Sequence, residues 1–308
     1  MVALQSPKPP RQSKGASRRW LEKPVEALFF LSAGLSVLAV ILITVFLFLS
    51  GVPAIGKIGL GPFLFGMRWE PSLGLYGIFP MIVSSLLTTA LAVLCAAVIG
   101  VLTAVFLVEV APPWLARLLR PAINLLAAIP SVVYGFFGML VVVPAIRDAF
   151  SNGDTAVPGY SVLAVVIILT MMILPIVITL SENALRSLPP SYKEASLALG
   201  ATPMRTMFRV LIPAARSGIM AAIVLGLGRA IGETMAVIMV AGNAVKMPDG
   251  PLSMVRTLTG NVALEMNYAS GIHREALFAT GVVLFVFIMA INLILNILTR
   301  KSSADKGE

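Results

Sequence analysis

Six stretches of this chain stay apolar for 20 residues or more: roughly Ala27–Ser50, Phe79–Val108, Ala122–Ala145, Ser161–Ser181, Ser217–Ala241 and Ala276–Leu298. Crossing about 30 Å of hydrocarbon takes about 20 residues at about 1.5 Å each. Backbone groups in lipid find no water, so each stretch must satisfy its own hydrogen bonds as a helix. The fold class expected is therefore an all-α membrane protein with six transmembrane helices. Composition excludes a water-soluble alternative: 58% of residues are hydrophobic and 12% charged, against about 25% charged in an average soluble domain. Pro130 and Pro175 fall inside spans and are expected to kink rather than break them, because neighbouring helices can satisfy the groups a proline frees.

Arg18 and Arg19 precede the first stretch as they would in a signal peptide. That stretch exceeds the apolar core of about 7–15 residues in such peptides, and no small-residue cleavage site follows. It is read as a retained span.

Net charge is +9, and membrane sidedness accounts for it. With the N-terminus inside, sixteen of the 23 Lys and Arg residues fall in inner segments and six in outer ones. This is a positive-inside pattern, and it removes the need for a nucleic-acid partner. The expected organisation is a cytoplasmic tail over 1–26, a six-helix permease domain over 27–299 with a cytoplasmic loop at 182–216, and a cytoplasmic tail over 300–308. Within the first tail, Ser6–Ser17 is rich in Pro, Ser and basic residues and is expected to be disordered. Trp20 and Leu21 suit a short interfacial helix.

Several candidate motifs fail. Cys95 is the one cysteine, so no internal disulfide can form, and it is read as inert packing. His273 has no neighbour with which to bind a metal and is read as an exposed loop residue. Gly51-Val-Pro-Ala-Ile-Gly56-Lys57 is followed by Ile58, so it lacks the hydroxyl a P-loop places on Mg²⁺. Gly226-Leu-Gly228-Arg-Ala-Ile-Gly232 misses the dinucleotide fingerprint by one residue; Gly228 and Gly232 suit helix packing instead. No nucleotide site is expected in the chain.

Arg229 and Glu233 stand out, because they sit deep within the fifth span. A central charge costs roughly 3 kcal/mol on insertion scales, and more on an isolated helix. A continuous helix would place this i,i+4 pair on one face. A structural ion pair is one reading. A paired buried charge is often no more stable than an apolar substitute, however, so function is the better account. A guanidinium matches carboxylate, phosphate or sulfate oxygens. The Glu233 carboxylate repels a fully ionised anion but can accept a hydrogen bond from a protonated one. Phosphate keeps a proton near neutral pH and sulfate does not, so the pair is expected to favour phosphate.

The loop before the fifth span reads Glu194-Ala195-Ser196-Leu-Ala-Leu-Gly200, then nine residues, then Val210-Leu211-Ile212-Pro213. It resembles the EAA loop of ABC importer permeases, departing mildly at Ser196, Val210 and Ile212. Ile129-Pro-Ser131-Val-Val-Tyr134-Gly-Phe-Phe-Gly138 and Leu225 to Val237 are similar to two signature segments of phosphate permeases, the second closer to the C-type subunit (PstC) than to the A-type. The resemblance covers residues 25–300 and implies the type I (MetI-like) importer architecture in a bacterial inner membrane. It implies an A-type permease partner, two copies of an ATPase carrying ATP and Mg²⁺, and a periplasmic phosphate-binding protein. It also implies that the helix bearing Glu194, Ala195 and Gly200, with Pro213 beyond it, docks on the ATPase. Inorganic phosphate would pass Arg229 and Glu233, with Ser131, Tyr134 and Thr234 supplying hydrogen bonds or else capping bent backbone. Two other readings stay open on the residues: a permease for sulfate or molybdate, and a channel or secondary transporter acting alone.

Overall fold

The computed structural model describes residues 16–151 and 156–304. The segment expected to be disordered, Ser6–Ser17, lies almost wholly outside them, as does Lys306 of the C-terminal tail. The chain divides into a unit ending at Leu49 and a unit from Ser50 onward. The first unit is the body of α1 (Ala16–Ile58). It begins within the expected tail, so Trp20 and Leu21 belong to its opening turns and not to a separate interfacial helix. From Leu28 to Leu49 its large apolar side chains are mostly exposed, as a lipid-facing helix requires.

The second unit is organised around a pair of long helices, α3 (Phe79–Val105) and α7 (Val162–Arg186). Ala92, Ala96, Gly100 and Ala104 form a buried ridge of small residues at four-residue spacing on α3. That ridge lets the two backbones approach closely. A Cβ at Gly100 would stand 2.7 Å from Val177 Cγ1 of α7. Buried hydroxyls on α3 are satisfied locally: Ser84 donates to the Pro80 carbonyl and Thr88 to the Ser84 carbonyl, each at 2.7 Å. Cys95 is exposed on this helix rather than packed inside.

Between these helices the third span departs from expectation. It runs Ser131–Phe150 instead of Ala122–Ala145. Pro130 breaks the chain instead of kinking it. Ile129, forced toward extended backbone by the proline after it, ends α4 (Pro113–Ala128) at φ −68°, ψ 128°. The span is then built from α5 (Ser131–Phe137), a π-helical turn over Gly138–Val142, and α6 (Val143–Phe150). The wide turn falls where Pro144 cannot donate its missing N–H. A second such turn, Met207–Leu211, precedes Pro213 in the same way. Pro175, by contrast, is carried inside a continuous α7.

At one end, α7 leads through a short turn into α8 (Pro190–Ala198), α9 (Pro203–Thr206) and α10 (Ile212–Ala214). The chain then bends by 68° into α11 (Arg216–Gly232). After a break comes α12 (Met235–Val240), then α13 (Leu258–Glu265) and α14 (Gly271–Ala304). The opposite end carries α2 (Leu60–Phe65) and a two-stranded hairpin, β1 (Trp69–Glu70) with β2 (Leu75–Tyr76). Trp69 pairs with Tyr76 and Glu70 with Leu75. Among the described residues, five helices are long and apolar enough to cross a membrane, and a sixth when α11 is taken with the bent segment before it.

Candidate functional site

The fifth span is not one helix. Glycine, a poor helix former, ends α11 at Gly232, and Glu233 takes extended backbone at φ −70°, ψ 130°. The Glu233 carboxylate then accepts from the Ala236 amide at 3.1 Å, as a capping side chain does for the next helix. The Thr234 hydroxyl donates to the Gly232 carbonyl at 3.2 Å. The Thr259 hydroxyl, at the start of α13, donates to the Glu233 carbonyl at 3.1 Å. Three side chains thus stabilise a deliberate interruption. The expected shared face for Arg229 and Glu233 is lost, because the helix ends between them.

Arg229 lies in the last turn of α11, where a cation suits the helix dipole. It is exposed in this chain. Among the described residues it makes no hydrogen bond and no ion pair, with Glu233 or any other group. Its charge does reach Tyr134. A Cβ at Gly228 or Gly232 would meet nothing within 4 Å, so the expected glycine packing is not made within this chain.

The interrupted third span packs against the interrupted fifth. A Cβ at Gly135 would stand 2.8 Å from the Ala236 Cα, so α5 and α12 lie backbone to backbone. Two breaks, at Ile129–Pro130 and Glu233–Thr234, are thereby brought side by side. Tyr134 is buried, and its hydroxyl donates to the Leu126 carbonyl at 2.8 Å, which secures the corner between α4 and α5. Ser131 is half-buried at the first position of α5. Thr234 and Tyr134 therefore spend their hydroxyl protons on bent backbone.

At the α8 end, Glu194 and Ala195 are exposed. Gly200 takes φ +81° two residues after α8 ends, the left-handed turn that closes a helix and that other residues adopt with strain. Ser196, at one departure from the EAA pattern, lies 2.9 Å from the Thr206 hydroxyl and ties α8 to α9. Leu199, just past the end of α8, is 89% exposed. Pro213 sits in α10, beyond the π-helical turn.

Two clusters were not foreseen. At the hairpin end, Glu265 is almost wholly buried, and Arg256 Nη1 donates to its Oε1 at 2.6 Å. Trp69 Nε1 and His273 Nε2 lie 2.8 Å from its Oε2. Burial alone would raise the Glu265 pKa, but the bonds from Trp69, His273 and Arg256 outweigh it and hold it below the ordinary value. His273 is thus a half-buried anchor in α14, not an exposed loop residue. Arg256 Nε also holds the Asn243 carbonyl at 2.8 Å, so this clamp joins the hairpin to the segment after α12. At the α8 end, Arg120 and Arg186 share the buried carboxylate of Glu182. The i,i+4 spacing of Glu182 and Arg186 was visible in the sequence; the approach of Arg120 from α4 was not.

Helical spans interrupted around an exposed cation, with an exposed short helix at one end, define a subunit of a membrane transport pathway. Comparison with known proteins makes that class specific. Residues 96–304 match the family model described as the binding-protein-dependent transport system inner membrane component, and the chain belongs to that family. It is similar to the "Probable ABC transporter permease protein YqgH" of Bacillus subtilis, at 41% identity over 82% of this chain and 84% of the relative. It is also similar to the "Phosphate transport system permease protein PstC" of Haemophilus influenzae, at 32% identity over 97% of this chain and 99% of the relative. The fold is that of type I (MetI-like) importer permeases. A bacterial alginate ABC transporter superposes with a TM-score of 0.60 at 17% identity, over 92% of this chain and 99% of the other. The inward-facing MetNI methionine ABC transporter gives a TM-score of 0.56 at 22% identity, over 76% and 99%. The chain is a multi-pass inner-membrane permease subunit and not an enzyme.

Proposed function

We propose that this chain is the C-type permease of a phosphate importer, and that Arg229 is the attracting group on the anion's path. The observation that carries the assignment is Arg229 itself: an exposed guanidinium within the fifth span, with no ion pair among the described residues, beside a backbone break. An uncompensated cation at that depth is costly, and an arriving oxyanion offsets the cost in each cycle. The PstC relatives support phosphate as that oxyanion. Glu233 keeps its role in a modified form. One carboxylate oxygen caps α12, and the other can accept a hydrogen bond from a protonated anion and repel sulfate. Ser131, Tyr134 and Thr234 are placed at the two breaks and position the backbone around the path.

In this reading the N- and C-termini are cytoplasmic and the hairpin end faces the periplasm. The chain pairs with an A-type permease, and α8 docks on one of two ATPase subunits that hold ATP and Mg²⁺. ATP binding closes the ATPase dimer, pushes on α8 and turns the pathway outward. Phosphate released by its periplasmic binding protein then passes the breaks. Uptake of radiolabelled phosphate into proteoliposomes tests the residue assignment. Arg229→Gln should abolish ATP-driven uptake with the complex still assembled; unchanged uptake would remove Arg229 from the path. Glu233→Gln should admit sulfate, whereas equal sulfate uptake by the native protein and the variant would end the selectivity argument.

A further inference from the structure

A second cationic site lies nearer the α8 end. Its walls come from two facing helices: Arg120 and Asn124 from α4, and Thr179, Glu182, Asn183 and Arg186 from α7, around a cavity of about 310 Å³. The cavity has several times the volume of about 30 Å³ that one water occupies in the liquid. Arg120 Nε and Arg186 Nε both donate to the same oxygen, Glu182 Oε1, at 2.7 and 2.8 Å. Arg120 Nη2 reaches the Leu107 carbonyl at 3.3 Å. Among the described residues, neither Nη atom of Arg186 makes a hydrogen bond.

Two guanidiniums against one carboxylate leave a net positive charge in a polar cavity. A structural pair needs only one cation. The second cation adds charge-assisted donors in the planar geometry that suits an oxyanion. Amides of Asn124 and Asn183 and the hydroxyl of Thr179 offer further donors on the same walls. The site is separate from Arg229. Ile173 of α7 clusters with Ala230 of α11, next to Arg229, whereas Glu182, nine residues later, falls on the opposite face of the same helix, about 13 Å toward the α8 end.

We propose that this cavity binds a phosphate-type oxyanion, at a second site on the face of α7 away from Arg229. The proposal stands apart from the Arg229 assignment, and its test separates the two. The source of the oxyanion is either free phosphate or the headgroup of an anionic lipid, which share this chemistry. The complex with its partner subunits, in nanodiscs of phosphatidylcholine and without binding protein, is mixed with millimolar inorganic phosphate. Broadening of the phosphate ³¹P resonance reads weak binding. Arg186→Gln should weaken it about tenfold, the loss of one charge-assisted contact, while Arg229→Gln should leave this component in place. Glu182→Gln, which removes the competing carboxylate, should strengthen it in an assembled complex. Broadening that is indifferent to Arg186→Gln, or that Arg229→Gln alone removes, overturns the second site and leaves the Arg229 assignment standing. Loss of broadening in Glu182→Gln with assembly intact also overturns it. Adding phosphatidylglycerol identifies the source: broadening persists if free phosphate occupies the cavity and disappears if lipid headgroups do.

Discussion

Replacing Glu265 with alanine should loosen the hairpin end of the molecule selectively. The carboxylate holds Arg256, Trp69 and His273 at once, and Arg256 and His273 are only 18% and 16% exposed. Removing one member of a buried ion pair costs about 3–5 kcal/mol, since the other charge stays buried. Residual exposure of the partners places this case near about 3 kcal/mol, or about a hundredfold in the local opening equilibrium. Hydrogen exchange read by mass spectrometry measures that equilibrium. Amides of the hairpin, including the Gly77 N–H bonded to the Arg68 carbonyl, should exchange about a hundredfold faster. Those of α7, which makes no part of the clamp, should not change. Hairpin exchange equal to that of the native protein would refute the view that this clamp holds the end together.

Acid should act on the same clamp. Because the folded Glu265 pKa is lowered, its contribution is present above the ordinary value of 4.5 and is lost as pH falls through the lowered value. Hairpin protection, corrected for intrinsic exchange chemistry, should hold from neutral pH to that point and collapse below it. Gly200→Val strains a left-handed backbone position at φ +81° by about 1–2 kcal/mol, and should lower ATP-driven uptake while membrane insertion, read by protease protection, stays normal. Gly100→Leu puts atoms where Val177 already stands 2.7 Å from a Cβ, so α3 and α7 must separate and yield of folded protein should fall sharply. Tyr134→Phe loses the bond to the Leu126 carbonyl, about 1 kcal/mol, and should lower the transition temperature slightly without changing anion selectivity.

Hydropathy length located most of the spans, because hydrocarbon thickness is a fixed ruler, but it set the third at Ala122–Ala145 where the helix runs Ser131–Phe150. The interruptions were harder to read. Pro130 and Pro175 look alike in sequence, yet only the first breaks its helix; tertiary neighbours decide between kink and break. The separation of Arg229 from Glu233 had a local signal, Gly232 followed by a carboxylate two residues before a new helix, but helical spacing masked it. Gly200 behaved as its residue type dictates, since few others accept its backbone angle. The Glu265 clamp joins residues 196 positions apart, and no periodicity reports such a distance. The small residues on α3 recur every four positions, but nothing in the sequence says that they form a buried ridge or that α7 covers it.

The central claim, that this chain is half of an ATP-driven phosphate pathway, is tested most directly by ATP hydrolysis. The chain is reconstituted with an A-type permease and the ATPase, and the binding protein is added with or without phosphate. Phosphate-loaded binding protein should raise hydrolysis several-fold over the unloaded protein, with phosphate accumulating inside the vesicles. Phosphate entry without ATP, or hydrolysis indifferent to the loaded binding protein, would contradict the account.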